Sequence, residues 1–114
     1  MSGITTHVLD ISVGRPAAGV TVTLEQQASG DVWEKIGSQQ TDADGRAREL
    51  CADAAQLQSG IYRLTFDVGS YFDSRSTESF YQNIVITFSV NDASQHYHVP
   101  LLLSPFGYST YRGS

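Results

Sequence analysis

Segments in which apolar and polar residues alternate dominate this sequence. The clearest is Gly19–Gln26, where Val20, Val22 and Leu24 are separated by polar side chains. A period of two places the apolar side chains on one face of a β-strand and the polar ones on the other. The predicted strands are Ile4–Ser12, Gly19–Gln26, Val32–Gln40, a short one from Arg46 towards Leu50, Gly60–Val68, Asn83–Val90, His96–Leu103 and Tyr108–Tyr111. About eight short strands with regular turn signals predict an all-β sandwich or barrel.

The segments between the strands give weaker signals. Gly14-Arg15-Pro16 is predicted to end the first strand, and Ala52–Ser59 to form a loop. Residues Gly69–Tyr81 are predicted to contain one short helix, capped by serine or aspartate near Ser70–Ser74. Asp44-Gly45 is a turn signal, because glycine accepts positive φ and aspartate bonds its own backbone. Arg46 is therefore expected directly after a tight turn.

Length and charge narrow the classes of function. A chain of 114 residues fits a single domain, 1–114. The net charge of −5, with only 7 lysines and arginines, argues against nucleic acid or an anionic membrane as a partner. The single cysteine, Cys51, cannot form an internal disulfide and is expected to be a buried or half-buried thiol. With no apolar run of about 18 residues and no basic, apolar leader at Met1, the expected location is cytoplasmic.

The side chains that can carry acid–base chemistry are few. The three histidines are His7, His96 and His98, and alternation puts His96 and His98 on the same face of their strand. Together with Arg46 and the terminal segment they form a candidate polar site. Each histidine taken alone also fits a half-buried structural role, and the three together also fit a weak zinc site. The sequence contains no GxSxG, P-loop or dinucleotide fingerprint.

Several segments, in collinear order over nearly the whole chain, resemble the 5-hydroxyisourate hydrolase branch of the transthyretin family. The main ones are Thr6-His7-Val8-Leu9-Asp10, Asp44-Gly45-Arg46, and His96-Tyr97-His98-Val99-Pro100-Leu101-Leu102-Leu103-Ser104-Pro105 followed by Tyr108-Ser109-Thr110-Tyr111-Arg112-Gly113-Ser114. Gly14-Arg15-Pro16-Ala17, Tyr62-Arg63-Leu64-Thr65-Phe66 and Tyr71-Phe72 also fit. The terminal Tyr-Arg-Gly-Ser is the most specific element.

The resemblance implies a transthyretin-like (prealbumin) sandwich of two four-stranded sheets with one short helix. It also implies a homotetramer, a dimer of dimers, with active sites in the channel between dimers. The implied reaction is hydrolysis of 5-hydroxyisourate, the product of urate oxidation, by opening of its six-membered ring. No metal and no cofactor are implied.

Carried over by position, the implied catalytic residues are His7, Arg46, His98 and Ser114. The two histidines supply a base for water, and Arg46 holds the ureide and stabilises developing negative charge. Ser114, with its terminal carboxylate, is expected to orient a histidine or the water, and Tyr111 to bind substrate. His96 is expected to support its neighbours or the fold.

Three other classes of protein remain open at this point. The first is a non-catalytic small-molecule carrier built on the same tetramer. The second is a histidine-based metal site. The third is a structural or adhesion sandwich, which would be monomeric and secreted.

Overall fold

The computed structural model describes residues 3–51 and 57–114. Within these ranges the chain forms nine strands and one helix. They are β1 (Gly3–Asp10), β2 (Arg15–Pro16), β3 (Thr21–Ser29), β4 (Val32–Gln40), β5 (Arg46–Ala47), β6 (Gly60–Asp67), α1 (Val68–Ser74), β7 (Asn83–Val90), β8 (His96–Ser104) and β9 (Gly107–Thr110). Residues 52–56 of the predicted loop lie outside the described residues. No helix among the described residues is long and apolar enough to cross a membrane.

The strands form two sheets, which confirms the predicted transthyretin-like sandwich. One sheet has the order β4-β3-β6-β7, and the other has the order β2-β1-β8-β9 with β5 also paired to β1. The prediction of four strands in each sheet is wrong for the second sheet, which has five. The extra strand is Arg15–Pro16, which was predicted to be a break but pairs with Leu9 and Asp10. Proline is tolerated there because β2 is an edge strand.

The core lies between the two sheets and follows the alternation of the strands. In β1 the side chains of Ile4 and Val8 are buried, whereas those of Thr5 and His7 are only half-buried on the opposite face. In β8 the same alternation buries Val99 and Leu101. The outer face of the five-stranded sheet is therefore where polar side chains of β1 and β8 can meet a ligand.

One polar group on the inner side of β1 is enclosed and bonded on both oxygens. Asp10 is only 2% exposed. Its Oδ1 accepts from the backbone N–H and the hydroxyl of Ser12, and its Oδ2 accepts from the Tyr71 hydroxyl at 2.8 Å. Burial and this contact raise the pKa of Tyr71 to about 12. We call Asp10, Ser12 and Tyr71 the Asp10 cluster; it ties β1 to the helix.

Helix α1 is the one short helix predicted in this segment, and it occupies the beginning of it. It begins at Val68 and ends at Ser74, and Ser76 takes a φ of +53° just beyond it. The serine-rich sequence that follows has low helix propensity. The cap differs from the prediction, because Asp67, and not a residue in Ser70–Ser74, accepts from the Ser70 N–H. A carboxylate just before the first turn satisfies a donor that the helix leaves open.

Candidate active site

The turn before β5 places Arg46 beside β1. Gly45 has a φ of +77°, and a Cβ there would collide with the backbone oxygen of Val8. The carboxylate that stabilises this turn belongs to Asp42. It accepts hydrogen bonds from the backbone N–H groups of Asp44 and Arg46 at 2.9 and 3.0 Å. The predicted turn is confirmed at Gly45, but the prediction that Asp44 supplies the side-chain contact is wrong.

The sheet register brings the predicted residues into one row on its outer face. Arg46 of β5 pairs with His7 of β1, and Thr5 of β1 pairs with His98 of β8. Directly paired residues project to the same face of a sheet, and so do residues two apart along a strand. We call Arg46, His7, Thr5 and His98 the histidine row. The structure thus brings together His7, Arg46 and His98, three residues from distant segments that the sequence analysis proposed as members of one site.

His7 is oriented by a backbone carbonyl. Its Nε2 lies 2.8 Å from the carbonyl oxygen of Asp44. A carbonyl oxygen only accepts, so Nε2 must carry the hydrogen. In the neutral ring the lone pair is therefore on Nδ1.

His98 is held on two sides. Its Nδ1 lies 2.8 Å from the Thr5 hydroxyl oxygen. On the other side, a Cβ built on Gly113 would lie only 2.7 Å from His98 Cδ2, so the ring packs directly on that glycine. Within residues 3–51 and 57–114 its Nε2 has no hydrogen-bond partner.

The environment of His98 favours the neutral form of the ring. Burial lowers the pKa of His98 below its ordinary value, and the positive charge of Arg46 and the neighbouring rings of His96 and His7 lower it further. A neutral imidazole with an open nitrogen is the form that can accept a proton from water.

Arg46 supplies the positive charge of the row. In the part of the chain that the structure describes, its guanidinium makes no ion pair. A guanidinium is permanently charged and presents planar donors that suit an anionic or carbonyl-rich ligand.

The terminal segment is docked along β8. The Gly113 N–H donates to the His98 carbonyl at 2.8 Å, and the Thr110 hydroxyl donates to the Pro100 carbonyl at 2.7 Å. Arg112 lies over the ring of Tyr97, 4.4 Å from its centroid. The docked end also presses Gly113 against the His98 ring.

Two predicted site residues, Ser114 and Tyr111, are not part of the histidine row. Ser114 is exposed, and among the described residues neither its hydroxyl nor its carboxylate bonds a histidine. Tyr111 is exposed and lines a cavity of about 440 Å³ together with residues such as Tyr97 and Phe88. Their roles stay predictions.

Sequence reasoning missed Thr5 and Asp42. Thr5 contacts His98, and its oxygen also lies 2.9 Å from His96 Nε2. Its position two residues before His7 in a strand was the available signal, since alternation puts both on one face. Among residues 3–51 and 57–114, no group of three or more His, Cys, Asp or Glu side chains is arranged to hold a metal ion.

Comparison with known proteins places this arrangement in a family. Residues 4–113 match the model of the HIUase/Transthyretin family. The chain belongs to this family. The resemblance inferred from the sequence motifs is thereby confirmed.

Both branches of the transthyretin family are represented among the similar proteins. The 5-hydroxyisourate hydrolase of Caulobacter vibrioides is 47% identical, with each chain covered in full. The structure of Klebsiella pneumoniae 5-hydroxyisourate hydrolase has 40% identity, full coverage of both chains and a TM-score of 0.85. Sea bream transthyretin in complex with thyroxine has 30% identity, 96% coverage of this chain and 93% of that one, and a TM-score of 0.90. The backbone alone therefore does not separate the branches, whereas sequence identity is higher towards the hydrolases.

Proposed function

We propose that this protein hydrolyses 5-hydroxyisourate in urate degradation. The observation that carries the proposal is the histidine row, in which His98, with a lowered pKa and an open Nε2, lies beside His7 and the Arg46 cation. The full-length identity to proteins named for this reaction supports the choice of substrate.

His98 is the base in the proposed mechanism. Its Nε2 takes a proton from water, and the water oxygen bonds to the ring carbonyl carbon. The acyl C–N bond then breaks, and the departing nitrogen takes a proton as the six-membered ring opens. The His7 lone pair on Nδ1 is placed to hydrogen-bond the substrate or the water on the other side.

Arg46 stabilises the negative charge that develops on the carbonyl oxygen. A preorganised cation at such an oxygen strengthens its interaction in the transition state, which is the condition for lowering a barrier. The Asp42 carboxylate and Gly45 fix the backbone from which the guanidinium projects.

The remaining assignments follow from the family resemblance. We propose that Tyr111 contacts substrate, and that Ser114 orients a histidine or the water when the homotetramer, a dimer of dimers, encloses the site. One domain over residues 1–114 and a cytoplasmic location are also proposed; the single cysteine fits a reducing compartment.

The first test is kinetic. 5-Hydroxyisourate is generated in situ from urate and urate oxidase, and its ultraviolet absorbance is followed with and without the protein. We expect accelerated decay, and a loss of about 10²- to 10⁴-fold in rate for His98→Asn, the range of a general base. The thermal midpoint of the variant should stay close to that of the wild type. Decay no faster than the spontaneous background, or equal rates for both proteins, contradicts the proposal.

A non-catalytic carrier is the second candidate, favoured by the structural match to sea bream transthyretin with thyroxine. Saturable binding of an aromatic ligand without turnover of 5-hydroxyisourate would support it. The histidines and arginine of the row have no evident use in carrying such a ligand, so we rank this function second.

A further inference from the structure

The Thr5 hydroxyl lies between two imidazole rings. Its oxygen is 2.8 Å from His98 Nδ1 and 2.9 Å from His96 Nε2. The two rings are nearly parallel, at 18°, with centroids 6.5 Å apart. The chain Nδ1–Oγ1–Nε2 is therefore a continuous hydrogen-bond path from the half-buried His98 to the exposed His96.

The hydroxyl has a single hydrogen, so the protonation states of the two rings are linked. Thr5 can donate to only one of the two nitrogens, although it can accept from the other. If it donates to His96 Nε2, the bond to His98 requires a hydrogen on Nδ1, and His98 Nε2 is then a base. If it donates to His98 Nδ1, the neutral ring has its hydrogen on Nε2, and this nitrogen is then a donor that cannot accept a proton from water.

We propose that Thr5 and His96 form a proton relay behind His98. In the resting state Thr5 donates to His96 and accepts from His98 Nδ1. The proposal rests on the proposed function for its catalytic meaning, whereas the path from His98 Nδ1 through Thr5 Oγ1 to His96 Nε2 stands on the geometry alone. Neither Thr5 nor His96 needs to touch substrate, so both are positioning residues.

The transfers balance in both directions. When His98 Nε2 takes a proton from water, the hydrogen on Nδ1 passes to Thr5 while the Thr5 hydrogen passes to His96 Nε2. His98 is then neutral with its hydrogen on Nε2, and the positive charge is on His96. When the C–N bond breaks, His98 Nε2–H protonates the departing nitrogen, and the two transfers reverse.

The surroundings of the two rings favour a positive charge on His96 over one on His98. His98 faces Arg46 from β5, His7 from β1 and His96 from its own strand, and it is half-buried. An imidazolium there is both desolvated and repelled by the guanidinium. His96 is exposed to water, although Arg112 lies close to it, with Nη2 3.4 Å from its carbonyl oxygen. The relay moves the positive charge from the less hydrated ring to the more hydrated one.

The central experiment compares two substitutions of Thr5. Thr5→Val keeps the shape and removes the hydroxyl, whereas Thr5→Ser keeps the hydroxyl. We expect Thr5→Val to lower kcat about 10- to 100-fold, part of the general-base range, with KM changed less than about twofold. Thr5→Ser should stay within about threefold of the wild type. Thr23→Val is the matched control: Thr23 is in the other sheet, its hydroxyl bonds Ser38, and its rate should not change.

The second experiment distinguishes proton transfer from simple packing. His96→Ala removes the end of the relay, and a small imidazole buffer can replace it. We expect kcat of His96→Ala to fall about 3- to 10-fold at low buffer and to recover as imidazole is added. Thr5→Val should show no recovery, because the hydroxyl is still missing.

A third measurement does not depend on turnover. In ¹⁵N NMR spectra of imidazole-labelled protein near neutral pH, wild-type His98 should have its hydrogen on Nδ1. Thr5→Val should lose this preference, and Thr5→Ser should keep it. Equal NMR signatures for the two variants would overturn the resting arrangement whether or not the protein is a hydrolase.

The outcomes separate the relay from the proposed function. No turnover by the wild type contradicts the function, and the NMR comparison then decides the hydrogen-bond arrangement. Wild-type turnover with equal rates for Thr5→Val and Thr5→Ser overturns the relay alone. A wild-type rate for His96→Ala, without any buffer dependence, also overturns it.

Discussion

Strand β1 contributes to two polar clusters on its opposite faces. On the inner side, both oxygens of Asp10 are bonded, and the side chain is buried. On the outer side, the histidine row leaves His98 Nε2 and the Arg46 guanidinium without partners among the described residues. A fully bonded buried polar group stabilises one arrangement of the chain, whereas an open lone pair beside a cation is available for chemistry. We therefore expect substitutions that disturb the Asp10 cluster to lower stability, and substitutions that disturb the histidine row to lower activity.

Among substitutions that leave the residues of both clusters in place, the largest effect should come from Gly113→Ala. The new Cβ would lie 2.7 Å from His98 Cδ2 and 3.1 Å from Pro100 Cγ, so either the His98 ring or the terminal backbone packed on it must move. A displacement of this kind can lower the rate about 10²-fold. The measurement is the hydrolase rate, with the thermal midpoint recorded in parallel.

Gly107→Ala in the same terminal hairpin is the matched control. A Cβ there meets only Ser104 Oγ at 3.7 Å, an ordinary contact. Its rate should equal that of the wild type. An unchanged rate in Gly113→Ala would show that the packing of this glycine does not position His98.

The Asp10 cluster should respond in the opposite way. Tyr71→Phe leaves Asp10 Oδ2 buried without its donor, and we expect the free energy of unfolding to fall by about 1–3 kcal/mol. The hydrolase rate at 25 °C should not change. Tyr108→Phe, an exposed tyrosine, is the control for loss of a hydroxyl. A large loss of rate in Tyr71→Phe at unchanged stability would mean that the two faces of β1 are not independent.

The pH dependence of kcat/KM tests the electrostatics of the histidine row on the outer face. The pKa of His98 is lowered by burial first and then by Arg46, so the acid limb of kcat/KM should lie below the ordinary histidine pKa of about 6.5. Arg46→Gln removes a positive charge and should raise the pKa of His98 in an NMR titration. Arg48→Gln, a nearby substitution of the same kind, should leave it unchanged. A His98 pKa that does not rise in Arg46→Gln would contradict the conclusion that the charge of Arg46 lowers the pKa of His98.

The smallest effect concerns the inner face at high pH. The folded-state pKa of Tyr71 is raised to about 12, above the ordinary value of about 10. Its contribution to stability is complete below pH 10 and is lost as pH rises from about 10 to 12. The free energy of unfolding of the wild type should therefore fall more steeply in this range than that of Tyr71→Phe. Parallel curves would indicate that Tyr71 titrates normally.

The sequence alone predicted the fold class, most strand positions and three of the four residues that the sheet register brings into the histidine row. Val32–Gln40 and Asn83–Val90 were predicted with the bounds that the structure has. Alternation and turn residues act over a few neighbours, so their physical cause can be read locally. The motifs that resemble the transthyretin family added His7, Arg46 and His98 as one set.

Only the tertiary structure decided how distant segments align. Thr5 and His98 are 93 residues apart, and Asp10 and Tyr71 are 61 apart. Their contacts depend on the register of β1 against β8 and on where α1 rests, which core packing determines. For the same reason the pairing of Arg15–Pro16 and the contact of Gly113 with His98 were not predicted. Local patterns assign each side chain to a face, but the burial of the opposite face decides which side chains become neighbours.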